Sequence, residues 1–293
     1  MRGLFSPACR SLPSAVLLFG VLGVGFPSAA WAFPPAPTFT ISGVARDSFG
    51  WALRTGDLGT VVFKRAGEVI AEAPIDERGR VRENFRTQLA MDTNPAQPYS
   101  DRSQSLGVLF TIEVRFPTQT LLVTSINSSQ RTVGQPGGSV FIDFTIGVDS
   151  DGDGIPDAWE YWQLSELGIG FGDPRWSLST LGTGDFDGDG LSDRNEYLAG
   201  TFAFLADDKL SLAIEGLEPD GSARLRTVLV VDKSYRVEVS TDLVNWTTAQ
   251  VRLGSVAAAP QGILKSDDTR ETALYAPPLP GQSRQFYRLI LVR

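Results

Sequence analysis

Asp149-Ser-Asp-Gly-Asp-Gly-Ile-Pro-Asp-Ala-Trp-Glu160 and Asp185-Phe-Asp-Gly-Asp-Gly-Leu-Ser-Asp-Arg-Asn-Glu196 are one pattern written twice. Each places carboxylates at loop positions 1, 3, 5, 9 and 12 and a glycine at position 6. Alternate side chains converge on one point when a short chain curls, and Gly154 or Gly190 permits the sharp turn that the curl requires. The spacing therefore groups Asp149, Asp151 and Asp153 with the backbone carbonyl of Ile155, with Asp157 acting through a water, and with Glu160 closing the site from the first turn of an exiting helix. Asp185, Asp187, Asp189, the Leu191 carbonyl, Asp193 and Glu196 repeat the arrangement. Five acids packed around one point repel one another and raise one another's pKa, so a bound cation is the natural reason to concentrate them. An all-oxygen shell of this size suits Ca²⁺, whereas Mg²⁺ prefers a tighter octahedron that keeps several waters. Two Ca²⁺ sites are expected.

Both stretches fit D-x-[DN]-x-[DN]-G-x5-E, so they resemble the EF-hand loop and are similar to thrombospondin type 3 and dockerin calcium loops. The departures from a full EF-hand are informative. Loop 1 follows a strand-like run, Val140–Val148, where an EF-hand has a helix, and Pro156 takes position 8, where an aliphatic residue normally pairs with the partner loop. Each unit reads as a loop plus an exiting helix, like a dockerin half. A sensor that swings two helices apart is disfavoured, and a constitutive clamp is expected. A dockerin binding a cohesin is also disfavoured, because dockerin repeats lie closer together and usually end a chain.

The rest of the 293-residue composition narrows the chemistry further. There is no histidine and a single cysteine, Cys9. That excludes Ser-His-Asp and Cys-His relays, His-ligated zinc and an imidazole proton shuttle. Residues 1–32 carry Arg2 and Arg10, the apolar run Ala15–Val24 and the ending Ala30-Trp31-Ala32, the layout of a secretory signal cleaved after Ala32. The apolar run is short for a membrane span, and no second one follows. A secreted, periplasmic or cell-surface protein with no membrane span and no thiol in its mature chain is expected, held by cores and metal and not by disulfides. Without Arg2 and Arg10 the 26 basic residues become 24, against 34 acidic ones. Ten of those acids sit in the two loops, so the other 24 balance the bases and the acidity is local. No basic stripe offers itself to nucleic acid.

Around the loops the pattern is mainly β. Phe39–Val44, Gly59–Lys64, Val69–Ala73, Leu106–Phe116, Leu121–Ile126 and Ser139–Ile146 read as strands, as do Leu210–Glu215, Ala223–Val231, Tyr235–Ser240, Ala249–Leu253 and Arg284–Val292. Asp157–Leu167 and Ser192–Leu198 read as helices stopped by Gly168 and Gly200. The expected fold is two β-sandwich-like domains, 33–147 and 207–293, joined by a calcium-loop and helix segment, 148–206. Gly43-Val44 to Asp47, then Gly50, Leu53, Val62 and Asp76-Glu77-Arg78-Gly79, resemble the carboxypeptidase-regulatory-like family of small β-sandwiches. The resemblance implies a transthyretin-like or immunoglobulin-like module that supports other domains and is not catalytic. The polar loop Asn94–Ser105 departs from that pattern. Tyr235–Ser240 with Asp242, Leu243 and Trp246 reads as a strand–turn–strand corner closed by an aromatic, similar to a phrase found in many exported bacterial proteins that carry Asp-rich calcium loops.

The leading functional expectation is an exported, calcium-stabilised, non-catalytic protein with a structural or adhesive role toward an unidentified protein or polysaccharide at the cell surface. The alternative is a carbohydrate-binding module, with Trp51, Tyr99, Trp246 and Tyr275 in or near turns as stacking candidates. A carboxylate-pair glycosidase needs no histidine, but nothing in the sequence pairs Asp76, Glu113, Asp143, Glu215 or Glu238. Glu113, Asp143 and Glu238 alternate with apolar neighbours and read as solvent-facing. The sequons at Asn127 and Asn245 are taken as chance matches.

Overall fold

The structure, a computed structural model, describes residues 36–78, 82–92, 100–126 and 131–292. The expected signal segment 1–32 with Cys9, Tyr99 and the sequon at Asn127 lie outside the described residues. Apolar–polar alternation builds the first part of the chain into Ala36–Arg46 (β1), Thr60–Arg65 (β2), Glu68–Pro74 (β3), Phe85–Met91 (β4), Thr111–Arg115 (β5), Thr120–Ile126 (β6) and Ser139–Ile146 (β7). They form one sheet in the order β3-β2-β5-β6-β7-β1-β4. Its two outermost strands, β3 and β4, lie against each other, so the sheet curls around its own apolar face. Phe39, Phe63, Phe85, Phe110, Ile142 and Phe144 fill that interior.

One pair breaks the antiparallel rule. β1 runs parallel to β7, from Thr40 opposite Ser139 to Arg46 opposite Thr145. The approach is closest at Gly43, where a Cβ would stand 1.7 Å from the Ile142 carbonyl oxygen. Glycine is required there by contact with the neighbouring strand.

The helical segment follows directly. Asp157–Glu166 (α1) starts after Pro156 and buries Trp159, Glu160, Gln163 and Leu164. Leu167, the last residue of the expected helix, is instead its C-terminal cap and is 37% exposed. Asp193–Ala199 (α2) is capped by Ser192, whose hydroxyl accepts from the Asn195 amide, and ends at Gly200 with φ 82°. A separate small core joins the helices: Ile155, Trp159, Leu164, Ile169, Leu181, Tyr197 and Ala203, with the Trp159 and Tyr197 rings 5.3 Å apart, edge to face.

Strands then resume: Ala213–Leu217 (β8), Ala223–Leu229 (β9), Ser234–Ser240 (β10), Thr247–Thr248 (β11), Val251–Leu253 (β12), Pro260–Gln261 (β13), Leu264–Lys265 (β14), Arg270–Ala276 (β15) and Phe286–Val292 (β16). One sheet has the order β13-β12-β15-β9-β8; in the other, β10 pairs with β16, β11 and β14. Leu225, Leu229, Tyr235, Val237, Leu264 and Leu274 pack between them. The protein is thus mainly β, with sheets on both sides of a short helical segment. No helix among the described residues is long and apolar enough to cross a membrane.

Several sequence expectations are corrected. The long strand Leu106–Phe116 is cut down to β5, because Gly107 turns at φ 80° and Leu109 is left 64% exposed. β4 and β15 form where the sequence pattern shows no strand. Asp143, Glu238 and Glu113 are not solvent-facing: Asp143 is buried against Arg46, Glu238 is held between Arg236 and Arg288, and Glu113 meets Lys64 at 2.6 Å. Trp246 lies under the Arg288 guanidinium, 4.2 Å from its carbon to the ring centre, with its indole N–H donating to the Leu243 carbonyl.

Candidate metal centre

Local hydrogen bonds, all within a few residues, set the shape of each Asp-rich loop. Asp149 accepts from the Gly152 and Gly154 amides with its two oxygens, Asp151 from Asp153, and Asp153 from Ile155 at 2.8 Å. Asp185 accepts from Gly188, Asp189 and Gly190, Asp187 from Asp189, and Asp189 from Leu191 at 2.7 Å. These turns need left-handed backbone at position 6, and Gly154 and Gly190 supply it at φ 91° and 96°. The result is convergence. Ligand oxygens of Asp149, Asp151 and Asp153 lie within 4.8 Å of one another, and those of Asp185, Asp187 and Asp189 do the same.

Position 9 serves as a brace in both loops. Asp157 accepts from the Ser150 amide and hydroxyl, and Asp193 accepts from the amides of Phe186 and Gly182. Position 12 behaves differently. Glu160 and Glu196 are fully buried on the first turns of α1 and α2, and all four of their carboxylate oxygens lack a hydrogen-bond partner. One oxygen each of Asp153, Asp187 and Asp189 is buried in the same condition. Burial, reinforced by the neighbouring aspartates, pushes Glu160 up to about 9 and Glu196 up to about 8. Burial likewise raises Asp153 and Asp187.

A buried carboxylate with neither a hydrogen bond nor a counter-charge is costly. Here two of them face clustered aspartates, and one buried oxygen each of Asp153, Asp187 and Asp189 is likewise without a hydrogen bond. A hard divalent cation relieves both problems, because it supplies positive charge and takes oxygen ligands in the number that each loop offers. The donor set therefore fits Ca²⁺. The Ile155 and Leu191 amides donate back to the aspartate at position 5.

Three contacts tie the loops to their surroundings and were not read from the sequence. The Gly182 amide donates to Asp193 at 2.8 Å while its carbonyl accepts from the Arg194 amide, and a Cβ at Gly182 would fall 2.7 Å from an oxygen of Asp153 in the other loop. The Arg194 guanidinium lies against Gly154, 3.2 Å from where a Cβ would be. The Lys209 ammonium donates to the Asp189 carbonyl at 3.2 Å. The Gly182-Thr-Gly184 pair just ahead of loop 2 was the available signal for the first of these.

Both loops match the bacterial TSP3 repeat. The matched residues are 149–160 and 185–201. The first TSP3 match ends on Glu160 in the opening turn of α1, and the second continues through α2 to Thr201. Each TSP3 match thus spans one Asp triad and the buried glutamate that closes on it. No curated protein and no solved structure matches the chain.

Proposed function

We propose that the protein is an exported, non-catalytic calcium-binding protein in which two Ca²⁺ ions stiffen the junction between β-domains that serve a structural or adhesive role. The observation that carries the reading is the pair of buried glutamates, Glu160 and Glu196, whose oxygens have no partner beside clustered aspartates. Asp149, Asp151, Asp153, the Ile155 carbonyl and Glu160 would hold one ion. Asp185, Asp187, Asp189, the Leu191 carbonyl and Glu196 would hold the other. Asp157 and Asp193 brace the loops and could still reach an ion through water. In this reading residues 33–147 form the supporting module, of carboxypeptidase-regulatory-like kind, and 207–293 the second β-domain.

A stiffening role is favoured over a switching one because each loop feeds the common core. Ile155 and Trp159 from loop 1 and Tyr197 from α2 pack together, so ordering either loop fixes the same cluster. Calorimetric Ca²⁺ titration of the chain, with elemental analysis, tests the reading. Two equivalents are expected for the wild type and one each for Glu160→Gln and Glu196→Gln. Heat signals unchanged by either substitution would refute it.

A further inference from the structure

A cavity of about 250 Å³ lies beside the helical segment, and none of the six triad aspartates lines it. Trp51 from the loop after β1, Trp162 from α1 and Phe202 from just beyond α2 form its aromatic walls. The Trp162 and Phe202 rings are 5.4 Å apart and inclined at 50°, and Phe49 braces Trp162 edge-on at 6.0 Å. Trp51 is 37% exposed, so solvent reaches its indole.

Thr201, Asp208, Lys209 and Thr269 supply the polar side chains of the lining. Thr201 is only 7% exposed, and its hydroxyl has no hydrogen-bond partner. Asp208 accepts from the Phe202 amide with one oxygen, leaving the other for a ligand. Lys209 donates to the Asp189 carbonyl, lies 3.8 Å from a carboxylate oxygen of the same residue and keeps a donor for a ligand.

The charges and the orphaned hydroxyl select the occupant. An anion would meet Asp208, and a cation would meet Lys209. A hydrocarbon would seal the Asp208 carboxylate away from water without replacing its hydrogen bonds and would leave the buried Thr201 hydroxyl unmatched. A pyranose ring meets every condition: its C–H face stacks on indole, and its hydroxyls both donate and accept. The volume is below that of a drug-sized site and suits a single ring.

We propose that this cavity is a subsite for one neutral pyranose ring of a polysaccharide, stacked on Trp51 and hydrogen-bonded to Thr201, Asp208 and Lys209. Lys209 also touches Asp189, a proposed metal ligand, so the test keeps the chain saturated with Ca²⁺ throughout. Tryptophan emission is followed while neutral gluco-, xylo-, manno- and galacto-oligosaccharides and N-acetylglucosamine oligomers are titrated in, with acetate and tetramethylammonium as charged probes. At least one neutral series should give a saturable change. Affinity should fall about tenfold or more in Trp51→Ala and severalfold in Thr201→Val. Trp246→Ala, which alters an indole elsewhere on the surface, should leave it unchanged. Thr201→Val is nearly isosteric and carries the test if Trp51→Ala does not fold. The proposal fails if no neutral saccharide saturates, if only the charged probes do, or if the affinity is unchanged by the Thr201 substitution.

Discussion

Arg46 and Asp143, 97 residues apart in sequence, meet through two parallel hydrogen bonds: Nε donates to Oδ1 at 2.7 Å and Nη2 to Oδ2 at 2.8 Å. Both side chains are nearly buried. Burial by itself would lower the pKa of the guanidinium, but the Asp143 carboxylate outweighs it and holds the group above its ordinary value. The remaining nitrogen of Arg46 donates to the carbonyls of Gly50 and Asp232 at 3.2 Å, so one side chain joins β1, the loop after it and the turn before β10.

Removing one partner strands the other charge. Arg46→Met is expected to cost about 3–5 kcal/mol, while Arg46→Met with Asp143→Leu should recover much of that loss. Denaturant melts of the wild type, the single and the double variant check it. A single variant as stable as the wild type would show that water already solvates the pair.

Calcium should act directly on stability. At a hundredfold excess of free Ca²⁺ over Kd, each site adds about 2.7 kcal/mol, and each kcal/mol is worth about 2–4 °C in Tm for a chain of this size. Chelation should reverse the gain and speed proteolytic nicking within 168–184, the connection between the two loops. Identical thermal scans in Ca²⁺ and in EDTA would exclude the clamp.

The pH response should depend on calcium. Glu160 and Glu196 have an ordinary value of 4.5 and are pushed up to about 9 and about 8 when folded. Without metal, the folded chain keeps protons that the unfolded chain releases, so their contribution is complete below the unfolded value and disappears as pH rises toward the folded values. In chelator the denaturant midpoint should therefore fall from about pH 5 to about pH 8, and Glu160→Gln should flatten the slope. In saturating Ca²⁺ the two glutamates should contribute no such fall, because the ion replaces the protons. A chelated wild type with the same slope as Glu160→Gln would contradict this.

Gly43 should tolerate no side chain. A Cβ 1.7 Å from the Ile142 carbonyl oxygen forces β1 and β7 apart, so Gly43→Ala is expected to cost about 3 kcal/mol or more. Gly67, which has open space around it, is the comparison site for clash, although its φ of 89° adds a smaller backbone strain to Gly67→Ala. Equal losses at the two positions would argue against the close approach.

The sequence by itself determined the two Asp-rich loops, down to their glycine turns, the Gly200 stop and the glutamates placed on the first turn of each exiting helix. It could do so because the hydrogen bonds that curl positions 1 to 7 of each loop span only two to five residues, and spacing alone encodes such geometry. It also determined the mainly β class, through strands such as Tyr235–Ser240 that alternate cleanly. β4 and β15 escaped because Gln88, Ala90, Met91, Ala273 and Ala276 have weak strand preference, and neighbouring strands hold those segments extended. Only the tertiary structure decided that Asp143 finds Arg46, that Gly182 couples the two loops, and that Trp51, Thr201 and Asp208 share a cavity. Those meetings depend on long-range packing, where residues distant in the chain become neighbours because burying apolar faces brings their strands and helices together.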